Sequence, residues 1–199
     1  MDRRLRAFER AYRESGGIED HARYLREALR CDLIDKDRIA LCAFLGHGAA
    51  QKTIPECVRN DRIIYFDRAI PNIEVLDIID GLALWGPLVL LVGAVGVCKP
   101  IYDSINDPEY RKCYELCSEY VDGPSLKKRK YLQNMDSIIR DRSNRRHFLI
   151  WNLRDQIIRK KKRRYKTTLW LAYVNLFDDN AFMNALRGRI YPWVLREFA

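Results

Sequence analysis

Two cysteines four residues apart, Cys113 and Cys117, and a histidine between two glycines, His47, are the side chains whose type and spacing could do chemistry. On a helix an i, i+4 pair shares one face, so the two thiols could supply half of a tetrahedral zinc site. The other half would have to come from His21, His47, His147 or a distant cysteine, and no C-x-x-C or H-x-x-x-H pair offers it. The pattern predicts buried structural thiols and no metal. His47 lies in Gly46-His47-Gly48, where glycines permit a close backbone approach. A general base needs a serine, cysteine or carboxylate partner, and no spacing fixes one beside it. The expected role of His47 is to start or cap a helix and to hydrogen-bond the neighbouring turn. Gly81, Gly86, Gly93 and Gly96 are scattered through apolar sequence with no GxGxxG and no Walker lysine, so they predict close helix packing rather than a phosphate cradle. Tyr191-Pro192-Trp193 and Phe198 are expected to pack the end of the chain onto its body. The sequence therefore predicts no catalytic residue, no cofactor and no metal, and a protein that is not an enzyme.

The strongest pattern is electrostatic. Between Ser125 and Lys166 stand sixteen Lys or Arg against three Asp, so this window carries +13 of a chain whose net charge is +9, and the rest carries −4. A basic zone on a mildly acidic body faces an anionic partner or water. The candidate partner-binding residues are Lys127, Lys128, Arg129 and Lys130, then Arg159, Lys160, Lys161, Lys162, Arg163 and Arg164, with Trp151 and Tyr165 as aromatic anchors. On a helix, six consecutive basic residues cover the whole circumference, so that part is expected to project from the body. Basic groups interleaved with Tyr131, Phe148, Trp151 and Tyr165 suit nucleic acid, yet no helix-turn-helix, RRM or OB signature accompanies them. A protein partner with an acidic surface is the expected ligand; nucleic acid is the alternative.

These groups must be positioned by helices. The composition, 48% hydrophobic and 32% charged with only 10 Gly and 7 Pro, is that of a folded chain with long uninterrupted segments. Leu5, Phe8 and Tyr12 mark one helix before Gly16-Gly17; Ala22, Leu25 and Leu29 mark a second; Asp35 can cap a third that stops at Gly46. Arg59 to Pro71 is left open: Ile63-Ile64-Tyr65-Phe66 fits a short strand or an apolar turn of helix. Pro87 suits a first helical position, and Asp107-Pro108-Glu109 is a strong start signal. From Asp136 to Phe177 there is no Pro or Gly, which predicts one long helix or two nearly collinear ones. Gly81 to Cys98 holds eighteen residues without a charge, the lower limit of a membrane span. Its four glycines, its proline and the lack of a second span favour a buried central helix and no integral membrane insertion. The fold class predicted is all-α, an orthogonal multi-helix array of seven to ten helices around that apolar helix. It is expected to form a single helical domain over residues 1–199, with an N-terminal module over 1–53 and a helical body over 73–199 that carries a basic helix over 125–166. The six cysteines, with an N-terminus MDRRLRAFERAYRE that has no apolar core, predict reduced thiols and a cytoplasmic protein.

The segment from Arg10 to Ala50 also resembles a helical module of uncharacterised bacterial proteins of the myxobacterial and planctomycete type. The matching residues are Glu19, Asp20, Ala22, Leu25, Arg38, Leu41, Leu45, Gly46, His47 and Ala49, with Phe44 where Tyr is usual. Gly81-Leu82 with Trp85-Gly86, the stretch from Glu115 to Tyr120 before Pro124, and Ile190-Tyr191-Pro192-Trp193 are similar to further pieces of that family. About two thirds of the chain is covered. The relatives carry charges after Trp-Gly, whereas Pro87 to Val97 here has none. Some relatives look like immunity or conflict-system proteins. The resemblance thus implies a helical fold and a non-enzymatic adaptor, inhibitor or immunity role in a bacterial defence system, and it brings no catalytic residue.

Overall fold

The computed structural model describes residues 3–59, 62–65, 75–135, 145–159, 165–176 and 178–195. The chain divides into two compact units, Met1–Asn72 with Val194–Ala199, and Ile73–Trp193. The class is all-α, with eleven α-helices and one short hairpin among the described residues.

In the first unit, α1 (Arg3–Ser15), α2 (Ile18–Arg30), α3 (Lys36–Phe44) and α4 (Gly48–Thr53) follow in sequence. Their ends are written in side chains. The Asp35 carboxylate accepts the Arg38 N–H at 2.8 Å and starts α3. Gly46, with φ +89°, follows α3 in a conformation that disfavours a side chain. His47 caps α4, its Nδ1 accepting the Ala50 N–H at 3.3 Å. Ala22, Leu25, Ala28, Ile39, Leu41, Cys42 and Leu45 are buried. The open stretch after Pro55 resolves as a hairpin: β1 (Glu56–Arg59) pairs antiparallel with β2 (Arg62–Tyr65), Cys57 opposite Ile64. Residues 66–71 of that stretch lie outside the described residues.

The second unit contains α5 (Val75–Leu82), a 3₁₀ turn (Ala83–Trp85), α6 (Pro87–Asp103), α7 (Pro108–Asp122), α8 (Leu126–Asn134), α9 (Arg145–Arg159), α10 (Tyr165–Leu176) and α11 (Asp179–Leu195). Gly86, with φ +97°, breaks the apolar run, and Pro87 opens α6 at its first position. Val89 through Cys98 are all buried, and α6 packs against α5, α7, α9 and α10. At about 1.5–3 kcal/mol for each buried Val or Leu, this helix is the unit's main apolar contribution. Among the described residues no helix is long and apolar enough to cross a membrane.

The expected single basic helix over 125–166 is corrected. The described part of the zone is distributed over α8, α9 and the start of α10, and α9 packs against both α8 and α10. The Gln156 amide donates to the Thr168 hydroxyl, both buried. Twelve residues of continuous helix would separate them by about 18 Å at 1.5 Å per residue, so one straight helix cannot make that bond.

Candidate functional site

Electrostatics singles out α8, the first part of the basic zone. Ser125 begins it by accepting the Lys128 N–H at 3.2 Å. Only Leu132 of its nine residues is buried, so apolar packing alone does not anchor it. Hydrogen bonds at helix ends do. Arg154 of α9, 2% exposed, donates Nε to the Leu132 carbonyl at 2.7 Å and Nη2 to the Gln133 carbonyl at 3.1 Å. These carbonyls lie in the last turn of α8, where the ladder leaves acceptors open and the dipole favours a cation.

Three of the predicted docking residues have structural duties of the same kind. The Lys128 ammonium donates to the Glu119 carbonyl in the last turn of α7 at 2.8 Å. Arg129 donates Nη2 to the Ile158 carbonyl near the end of α9. Arg159 is ion-paired at 2.6 Å with the buried Asp155. Lys127 and Lys130 remain exposed on the outer face. At 100° per residue they share one arc with Leu126, Tyr131 and Asn134. Leu126 is 76% exposed and Tyr131 47%. Lys112 of α7 sits over the Tyr131 ring, 5.3 Å from its centroid, and the hydrogen bond and charge of Tyr131 lift the Lys112 pKa above its usual value. The α8 sequence, LKKRKYLQN, contains no acid.

The other predicted residues separate. Trp151 is half-buried and stacks on Phe148 with centroids 5.9 Å apart, so it does not project as an anchor. Tyr165 is the first residue of α10. Lys160, Lys161, Lys162, Arg163 and Arg164, on which the projecting basic turn was expected, lie outside the described residues. Among the exposed apolar side chains that the sequence reading did not single out are Leu126 and Trp170 of α10, the latter 47% exposed. A signal for Leu126 was present. Ser125 as N-cap fixes the phase of α8, and counting 100° per residue from it brings Leu126 and Lys130 within about 40° of each other.

The candidate chemistry is tied up in structure. In the first unit His21 stacks on Tyr12 at 3.9 Å and meets the edge of His47 at 5.0 Å. Burial, and then the neighbouring His47, push the His21 pKa down to about 4; burial lowers His47 as well. Imidazoles so shifted are neutral at pH 7. A cavity of about 260 Å³ beside them is lined by Glu9, Tyr12, Arg13, His21 and Tyr24, and its described walls include no Ser, Thr or Cys. Glu9 is already paired with Arg13 at 2.7 Å. In the second unit Cys98, Cys113 and Cys117 are fully buried, and all six cysteines of the chain are free thiols. Burial raises Cys98 to about 12; burial, and then a hydrogen bond with Cys113, raise Cys117. Such shifts keep a thiol protonated, the opposite of what a nucleophile requires. Among the described residues no group of three or more His, Cys, Asp or Glu could hold a metal ion.

No family model, no curated protein and no solved structure matches the chain.

Proposed function

We propose that the chain is a non-enzymatic interaction protein that docks the acidic surface of a partner protein on the outer face of α8. The observation that carries this reading is the composition of that face: Lys127 and Lys130 beside an almost fully exposed Leu126 and the Tyr131 ring, on a helix without an acidic residue. Charges of one sign steer and select a partner, and an exposed leucine and an exposed aromatic ring on the same helix supply apolar area to an interface. The basic residues 159–164 add charge of the same sign along the sequence. Arg10 to Ala50 resembles a module of uncharacterised bacterial proteins, some of which look like immunity or conflict-system proteins, and this supports an adaptor, inhibitor or immunity role in a defence system.

The alternative is a nucleic-acid-binding accessory protein. It is the weaker reading because phosphates offer nothing to Leu126, and because one face of Tyr131, where a base would stack, is taken by Lys112. One experiment separates the two: affinity capture from the native host with and without nuclease, followed by titration of the captured partner against the full-length protein. A protein partner survives nuclease and binds Leu126→Ser/Lys130→Ala at least about tenfold more weakly, a loss of about 1.4 kcal/mol. The circular dichroism and melting temperature of that variant stay those of the wild type. A nucleic-acid partner disappears with nuclease and shows a log–log salt slope of about −0.9 per neutralised duplex phosphate. Equal binding of wild type and variant would reduce the α8 face to solvated surface.

A further inference from the structure

We infer that His21 and His47 form an acid-sensitive latch in the first unit: neutral, the two rings keep α4 closed on α2 and α3, and protonated, they release it. All parts of the latch lie within that unit, where α4 packs against both helices. The inference goes beyond the docking reading and does not depend on it.

The helix that the latch holds is six residues long, too short to be stable by itself. Its last turn is tied to α2, where Arg26 donates Nη2 to the Lys52 carbonyl at 2.9 Å and the Thr53 hydroxyl reaches the Ala22 carbonyl at 3.4 Å. Gln51 ties it to α3 by donating Nε2 to the Ala43 carbonyl at 3.1 Å. Its start is capped by His47, whose Nδ1 accepts the Ala50 N–H at 3.3 Å. Only an unprotonated Nδ1 can accept that bond, because both nitrogens of an imidazolium are donors. A proton on His47 therefore removes the cap and sets a donor against a donor.

His21 couples the cap to the core of the unit. Its ring lies 3.9 Å from that of Tyr12 and 5.0 Å from that of His47, centroid to centroid, and the residue is 9% exposed. An imidazolium there has little solvent, and a second one on His47 would face it at close range. The acids that could offset such charge are engaged elsewhere. On α1, Glu9 pairs with Arg13; on α2, Glu19 pairs with Lys52 of α4, Asp20 with Arg23, and Glu27 with Arg30. Tyr12 and Tyr24 flank His21 as rings, and the Cys42 thiol of α3, raised to about 12 by burial, stays neutral. The closed unit therefore takes up protons less readily than the open one: His21 is lowered to about 4 and His47 is lowered too, burial being the first cause in both. Groups shifted down in this way stabilise the closed form fully above the usual histidine value of 6.5, and that contribution is lost as pH falls toward 4.

The test is amide hydrogen exchange of the full chain at pH 7, 6 and 5, with each rate corrected for the intrinsic pH dependence of exchange. Protection of the α4 amides, Ala50 foremost, should fall about tenfold between pH 7 and pH 5, the order that linkage gives for a histidine lowered as His21 is. The amides of Val92 to Val95 in α6, a buried stretch without a titratable group, serve as the control and should keep their protection. His47→Asn substitutes a good cap that takes up no proton in this range, and His21→Phe keeps a flat ring on Tyr12. The double variant should be folded at pH 7 and hold its α4 protection unchanged down to pH 5. His47→Asn alone should reduce the pH dependence, and it decides the matter if the double variant does not fold. The inference is overturned if wild-type α4 protection is equal at pH 7 and pH 5, if α6 loses protection to the same extent, or if the variants respond to acid as the wild type does.

Discussion

Helices α6 and α8 both lack an apolar stripe, and they lack it for opposite reasons. α6 is apolar around its circumference and is covered by α5, α7, α9, α10 and α11, so every residue from Val89 to Cys98 is buried. α8 is mostly polar, with Leu126 and Tyr131 exposed, and Leu132 alone is buried. The first is held by the hydrophobic effect along its length; the second is held largely by hydrogen bonds, from Lys128 to α7, from Arg129 to α9 and from Arg154 of α9 to its last-turn carbonyls. A helix without amphipathic pattern is thus either a core element or one tethered by hydrogen bonds, and a tethered helix keeps an entire face for a partner.

Three substitutions test this contrast, in decreasing order of expected effect. Val92→Asp places a charge at a fully buried site of α6. It should cost at least about 3–5 kcal/mol and leave the second unit unfolded, seen as loss of the cooperative urea transition. A folded Val92→Asp protein would show that α6 is not a core helix. Arg154→Ala removes two charge-assisted hydrogen bonds from the end of α8 and should lower stability by about 2–4 kcal/mol. Arg154→Lys should recover only part of that, since one ammonium cannot reproduce two nitrogens in a fixed fork. If Arg154→Ala shifts the urea midpoint no more than a surface substitution does, α8 is not tethered as described. Ser125→Ala removes the cap of α8 and should cost about 1 kcal/mol by the same measurement. An effect near zero would place the start of α8 outside the cooperative unit.

Much of the local structure was legible because it is decided within one turn of chain. Asp35, His47, Asp107 and Ser125 each accept a hydrogen bond from an N–H two or three residues on. Pro87 opens α6 because its fixed φ fits a first turn. For residues 136–177 the reading allowed one long helix or two nearly collinear ones, and the absence of Pro and Gly could not show that the two pack against each other. The hydrogen bond from Gln156 to Thr168 requires two. The candidate site was legible as charge and illegible as surface. Lys127 and Lys128 are neighbours of the same type; one is exposed and the other reaches the end of α7, and only the position of Glu119 separates them.

The sequence by itself determined the all-α class, the helix starts, the burial of the charge-free segment and the sign of the field around residues 125–166. These follow from composition, from contacts within four residues and from the absence of charge, all of which are local. Tertiary structure decided which basic groups close helix ends and which face outward. It also decided that the rings of His21 and His47 meet. The physical reason is the same in both cases. An open carbonyl, or the edge of a ring, belongs to whichever element packing brings alongside it, and no spacing along the chain records that neighbour.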